Sequence, residues 1–288
     1  MKEKVKIIEC PRDAIQSIMT FIPTKTKLKY LQSVVDVGFD IVDIGSFVSS
    51  KVIPQLSDTK EIIESINISN SNSKLLTIVA NKKGAENASL YEKISFVGYP
   101  FSISESFQIR NTNKTINDSL DELDNILTIS DKANKETVVY LSMCFGNPYG
   151  DPWNLDLVNE WVYKLSKIGI NTISLSDTIG SSSPESISAI FKSVLKNHNN
   201  IEFGAHLHSE PKTSYDKIKS AFEAGCRRFD AVIKGYGGCP MASNELVGNI
   251  ATEKLVSYLE KKKVSININS SKFEKCYQLS SDFYKKYS

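Results

Sequence analysis

The sequence predicts an α/β protein, a (β/α)8 TIM barrel with an additional C-terminal helical segment. Three observations carry this. Short β-rich runs alternate with helix-period runs from one end of the chain to the other. Eight such runs, spread over 288 residues, give a unit of about 36 residues, the size of one strand and its return helix. Polar side chains gather just after the strands, where barrel chemistry collects. Alternation of this kind implies a parallel sheet. At this length the closed barrel comes first and a doubly wound open sheet second. The whole chain, 1–288, reads as a single barrel domain, with the barrel over about 4–260 and a helical tail over about 261–288.

Strands are predicted at Val5–Glu9, Ile41–Ser46, Leu75–Ala80, Ile94–Gly98, Thr137–Met143, Thr172–Ser176, Glu202–His208 and Arg228–Ile233. Between them, Leu28, Leu31, Val34 and Val35 recur at helical spacing, and Gly38 stops them. Ala85–Tyr91 predicts only a short helix, and the Asn/Ser-rich 66–73 a solvated loop. Ile116, Leu120, Leu123, Ile126 and Leu127 form another stripe. Val158, Trp161, Val162, Leu165 and Ile168 form a third, closed by Gly169. Ser183-Pro184-Glu185 is a helix start: a cap, a proline at the first turn, then an acid at the positive end of the dipole. Ile218, Ala221 and Phe222 end at Gly225. Phe273, Cys276, Tyr277 and Phe283 predict an extra helix packed on the barrel.

Composition narrows the function classes. The formal charge of +2 disfavours a nucleic-acid binder driven by bulk charge. No apolar run approaches the roughly 18 residues of a membrane span. The start, MKEKVKIIEC, has no leader-like apolar stretch. The five cysteines are widely spaced with no CxxC, which fits a reducing cytoplasm better than a disulfide framework or a cysteine zinc site. Arg12, Arg110, Arg227 and Arg228 are the arginines, and the rest of the 35 basic residues are lysines. An arginine kept in such a chain suggests a task lysine cannot do, such as bidentate oxyanion binding.

The polar rim supplies the candidates. His206 and His208, two of three histidines, are i and i+2 on a strand and share a face. Two readings stand, a hydrogen-bonded core pair or a grip on one metal ion. A carboxylate from another strand end, Asp13 or Asp177, favours the metal, and open positions suit a Lewis-acid divalent cation. Arg12-Asp13 is either a surface salt bridge or a charge-stabilising arginine beside a metal carboxylate. Asp43 lies inside an apolar strand, where a carboxylate needs a partner or a task. Gly235–Cys239 is either a tight turn with an inert thiol or a loop carrying Cys239 over a site. Cys10, Cys144, Cys226 and Cys276 read as structural. Asn249 offers an amide oxygen to a hard cation.

Six segments then occur in a matching order: Pro11-Arg12-Asp13-Ala14-Ile15-Gln16, Ser46-Phe47-Val48-Ser49 with Pro54-Gln55, Asp177-Thr178-Ile179-Gly180, His206-Leu207-His208, Gly237-Gly238-Cys239-Pro240, and Gly248-Asn249-Ile250-Ala251-Thr252-Glu253. From Lys4 to about Leu259 the chain resembles the 3-hydroxy-3-methylglutaryl-CoA lyase family. That family belongs to the TIM-barrel divalent-metal lyases and Claisen-condensing enzymes, and the resemblance is to a divergent bacterial branch. The resemblance implies a divalent metal, Mg or Mn, held by Asp13, His206, His208 and Asn249. It gives Arg12 to the enolate oxygen of the thioester and Cys239 to proton transfer. It places Asp43, Asp177 and His206 among the catalytic residues, and Arg12, Gln16 and Asn111 against the substrate. It implies an acyl-CoA substrate, a homodimer, and neither nucleic acid nor membrane as partner. The chain departs from the family pattern at Ala14 (usually Gly), Asp43 (usually Glu), Asn147 (Cys in animal members) and Ser209-Glu210-Pro211-Lys212 (Asp and Tyr-Gly after the histidines). The expected reaction is cleavage of 3-hydroxy-3-methylglutaryl-CoA to acetyl-CoA and acetoacetate. The alternatives are a related lyase or synthase for another acyl-CoA or keto acid, and a barrel that binds metal or CoA without chemistry.

Overall fold

The computed structural model describes residues 4–238 and 247–287. Eight strands, β1 (Lys6–Glu9), β2 (Ile41–Ser46), β3 (Lys74–Ile78), β4 (Ile94–Ser102), β5 (Glu136–Ser142), β6 (Thr172–Asp177), β7 (Glu202–Leu207) and β8 (Arg228–Ala231), close into a barrel in chain order. All pairs are parallel, and β8 closes on β1 with Lys6 opposite Arg228 and Glu9 opposite Ala231. The helices are α1 (Pro11–Gln16), α2 (Thr24–Val37), α3 (Thr59–Ser65), α4 (Lys82–Ser89), α5 (Glu105–Thr112), α6 (Ile116–Lys132), α7 (Leu155–Lys167), α8 (Pro184–Asn197), α9 (Ser214–Glu223), α10 (Thr252–Lys261) and α11 (Ser270–Tyr287). The predicted barrel and its C-terminal helix are therefore both present.

Local chemistry explains the boundaries. α2 stops because Gly38 takes φ 89°, a left-handed conformation that lets its N–H reach Val35 O. Ser183 caps α8 by accepting from Ser186 N, and Pro184 follows at the first turn. β4 runs four residues beyond the predicted Gly98, because Phe96–Ser102 pairs without a break against Glu136–Ser142. β8 stops at Ala231, before the predicted Ile233, because Ile233–Gly235 forms a 3-10 turn with Lys234 at φ 70°. α1, α3 and α5 are at most eight residues long, too short for an apolar stripe to announce them.

α11 packs on α2 through aromatic rings. Phe283 stacks on Tyr30 at 4.4 Å between centroids. Its neighbour Tyr284 stacks at 4.2 Å on Tyr236, in the loop after β8. The tail thereby braces the backbone that leads toward Cys239, which itself lies outside the described residues.

Strand alternation fills the barrel with an uneven lumen. Tyr140 of β5 meets His206 of β7, and Ser174 of β6 bonds Asp230 of β8. Each contact skips a strand, which only inward-facing side chains can do. On the outer side of β1, Glu9 is fully buried and accepts from Ile233 N (2.7 Å) and Thr252 Oγ1 (2.6 Å). Burial outweighs these bonds and pushes its carboxyl from 4.5 up to about 8. A raised folded-state pKa contributes stability below the unfolded value, and this is lost as pH rises through the folded one. Glu9→Gln is therefore expected to flatten the dependence of Tm on pH between about 4.5 and 8. Parallel Tm curves for the two chains would refute the assignment.

Candidate active site

The site lies at the C-terminal rim, as the barrel rule requires. A cavity of about 430 Å³ is lined by Arg12, Asp13 and Gln16 of α1, by Asn111 near the end of α5, and by His206 and His208 at the end of β7. Tyr140, Ser142, Ser176 and Thr178 complete its polar wall, and Val48, Val52, Ile53 and Phe107 an apolar one.

Arg12 organises this rim. Its Nε and Nη2 donate to Asp43 Oδ2 at 2.9 and 2.6 Å. Its Nη1 donates to Gln16 Oε1 at 2.9 Å and to Asp13 Oδ1 at 3.2 Å. Among the described residues four of the five guanidinium hydrogens are thus engaged, and one on Nη2 remains. The fork onto Asp43 is something an ammonium could not reproduce. Asp43 is fully buried. Burial pushes its carboxyl up to about 6, although Arg12 pulls the other way. Among the described residues its Oδ1 has no hydrogen-bond partner.

Asp13, His206 and His208 bring their ligand atoms within 4.8 Å of one another. Each ring is oriented by its other nitrogen. His206 Nδ1 lies 3.1 Å from Asp230 Oδ2, and His208 Nδ1 lies 3.1 Å from Thr178 O. Nδ1 thus carries the proton in each ring, leaving the Nε2 lone pairs free. Among the described residues the buried His208 Nε2 has no hydrogen-bond partner. Burial would raise Asp13, but Arg12 and the two imidazoles hold it below the usual carboxylate range. Burial lowers His208, as does His206 beside it. His206 is held above the usual imidazole value because Asp230 overcomes the effect of burial. Asn249 sits against Asp13, with Nδ2 donating to Asp13 Oδ2 at 2.7 Å and to Tyr236 O at 2.9 Å. Its amide oxygen Oδ1 has lone pairs to offer a cation. One carboxylate, two imidazoles that offer Nε2 lone pairs once deprotonated, and an amide oxygen form a donor set that fits a divalent cation.

This places each predicted residue. Arg12, Asp13, Gln16, Asn111, His206 and His208 line one cavity. Asp43 stands behind Arg12, and Asn249 beside Asp13. Asp177 does not line the cavity. Its Oδ1 accepts from Ser182 N, and its Oδ2 from Ser182 Oγ at 2.5 Å and Lys217 Nζ at 2.7 Å. Two residues escaped the sequence reading. Asp230 carried the same signal as Asp43, a carboxylate inside an apolar strand. Lys217 carried none, being one of the chain's many lysines and set on an amphipathic helix.

Residues 4–279 match the HMGL-like family. The chain belongs to that family. Members with curated activities share about a third of its residues. A hydroxymethylglutaryl-CoA lyase of Bacillus subtilis is 31% identical over 94% of this chain and 90% of its own. The crystal structure of the B. subtilis HMG-CoA lyase superposes with a TM-score of 0.90 at 30% identity, covering 97% of this chain and 93% of that one. An HMG-CoA lyase from Acinetobacter baumannii, in complex with coenzyme A and 3-methylmalate, gives a TM-score of 0.87 at 28% identity over 95% and 89% of the two chains. Among the described residues of this HMGL-like chain, no helix is long and apolar enough to cross a membrane.

Proposed function

We propose that this chain cleaves 3-hydroxy-3-methylglutaryl-CoA to acetyl-CoA and acetoacetate with a bound Mg or Mn ion. The observation that carries the reading is the convergence of Asp13, His206 and His208 beside Arg12 in one rim cavity. Asp13, His206, His208 and Asn249 would hold the metal. Once bound, it supplies Lewis acidity to oxygens of the substrate.

The chain's own residues account for the rest. The tertiary alcohol gives its proton to a base, for which the candidates are Asp43, behind Arg12, and the His206–Asp230 pair. The C–C bond between that carbinol carbon and the thioester α-carbon breaks, and its electron pair moves onto the thioester oxygen. Arg12 meets that charge with its remaining Nη2 hydrogen, pre-aimed by the fork on Asp43. Gln16 holds Nη1, so the guanidinium cannot rotate away. Asn111 contacts the acyl portion from the cavity wall. Cys239 then protonates the α-carbon. In this reading Asp177 acts indirectly, through the loop it anchors. The protein works as a cytoplasmic homodimer, which light scattering would register as twice the 32.1 kDa chain mass.

The test is coupled detection of acetoacetate from 3-hydroxy-3-methylglutaryl-CoA. Turnover is expected with Mg or Mn, and its loss on chelation should be reversed by adding the ion back. Absence of acetoacetate from the metal-supplied protein would refute the reading. A panel of other acyl-CoA thioesters in the same assay would then identify a different substrate.

A further inference from the structure

Lys217 is the one cation that α9 sends inward to the rim loops. It is 4% exposed, and its ammonium makes three bonds. Nζ donates to Asp177 Oδ2 at 2.7 Å, to His208 O at 2.8 Å and to Gly180 O at 2.9 Å. An ammonium has three hydrogens, so all are used. The acceptors belong to the turn that follows β6 and to the end of β7. Between Asp177 and Gly180 stands Thr178, whose carbonyl faces His208 Nδ1 at 3.1 Å. Thr178 Oγ1 also accepts from Met143 N at 3.0 Å, which ties the same turn to the end of β5. The turn that orients the His208 ring is thus gripped on both sides by one side chain, which also grips the backbone of His208.

We propose that Lys217 is a positioning residue for His208. Its ion pair with Asp177 locks the Asp177–Gly180 turn so that Thr178 O fixes the tautomer and direction of the imidazole. The strut spans two loops with one buried, neutralised charge pair. Such a pair contributes little net stability relative to apolar residues, but it does specify a geometry. The inference rests on the metal reading only for its effect on metal affinity.

Removing Lys217 alone would strand a buried carboxylate, so the informative variant is Asp177→Asn combined with Lys217→Met. Both side chains keep their approximate volume and both charges go. The chain has three histidines, so ¹⁵N imidazole spectra of the metal-free protein resolve each ring. In the double variant the His208 signals should lose the Nδ1–H pattern, whereas His206, oriented by Asp230, should keep it. Mn²⁺ affinity should fall by about 10–100-fold, the range expected when a group that orients a ligand is lost. Lys217→Arg retains the charge opposite Asp177, but a planar fork cannot serve the same three acceptors. It should shift His208 in the same direction, by less. An unchanged His208 pattern in the folded double variant, with Mn²⁺ affinity within about twofold of wild type, would overturn the proposal. So would both rings changing together, which marks a merely structural loss. Failure of the wild type to bind Mn²⁺ would overturn the metal reading, and the tautomer comparison would still decide the role of Lys217.

Discussion

Arg12→Lys is expected to lower kcat by about 10²–10³-fold, the range seen when one oxyanion donor is removed. Metal affinity should change far less. The reason lies in the fork. Nε and Nη2 both reach Asp43 Oδ2, so the guanidinium plane is fixed before substrate arrives. A lysine keeps the charge opposite Asp13 and Asp43, and the protein should fold. The lysine ammonium has no rigid plane, so pairing with Asp43 would not fix the direction of a further N–H into the cavity. Arg12→Ala goes further. It leaves the fully buried Asp43 without its counter-charge, a change that costs about 3–5 kcal/mol when a buried pair is broken. The lysine variant therefore isolates the chemistry, and the alanine variant mixes chemistry with stability. Steady-state kinetics together with a Tm for each would separate the two. An Arg12→Lys protein turning over at the wild-type rate would remove Arg12 from the reaction.

The barrel was legible because its signal is repetitive. Each strand is short and β-rich, each long helix carries an apolar stripe, and glycines such as Gly38 and Gly225 mark the ends. The rim was legible where chemistry is written in adjacent residues. His206 and His208 are two apart on a strand, and Arg12 adjoins Asp13. What stayed hidden depends on partners far away in sequence. Lys217 sits 40 residues from Asp177, and no local pattern on α9 announces that partner. That partnership engages the Asp177 carboxylate outside the cavity, although its place at a strand end and the resemblance both put it with the site residues. Asp230 was readable in principle, since strand-interior carboxylates need partners. Short helices such as α1 were missed for a different reason: six residues hold too few apolar positions to show a period.

The largest loss of metal binding is expected from Asp13→Asn. Asp13 is the one carboxylate in the Asp13–His206–His208 cluster, and it is held ionised by Arg12 and the two imidazoles despite burial. The substitution keeps size and leaves an amide oxygen, but it removes the only anionic donor in the set. Mn²⁺ affinity should fall by more than the roughly 10–100-fold expected for residues that merely orient a ligand. Titration adds a second signature. Protons compete with the metal for His206, so affinity falls as pH drops. Burial lowers the His206 pKa, but Asp230 and then Asp13 raise it above the usual 6.5, so the fall begins above that value. Without the Asp13 charge, the midpoint should move to lower pH while the affinity plateau above it drops. The two effects have opposite signs for metal binding at mildly acid pH, so a general loosening of the site cannot imitate them. Mn²⁺ titrations across a pH series would show both, and an Asp13→Asn protein with wild-type affinity and midpoint would take Asp13 out of the ligand set.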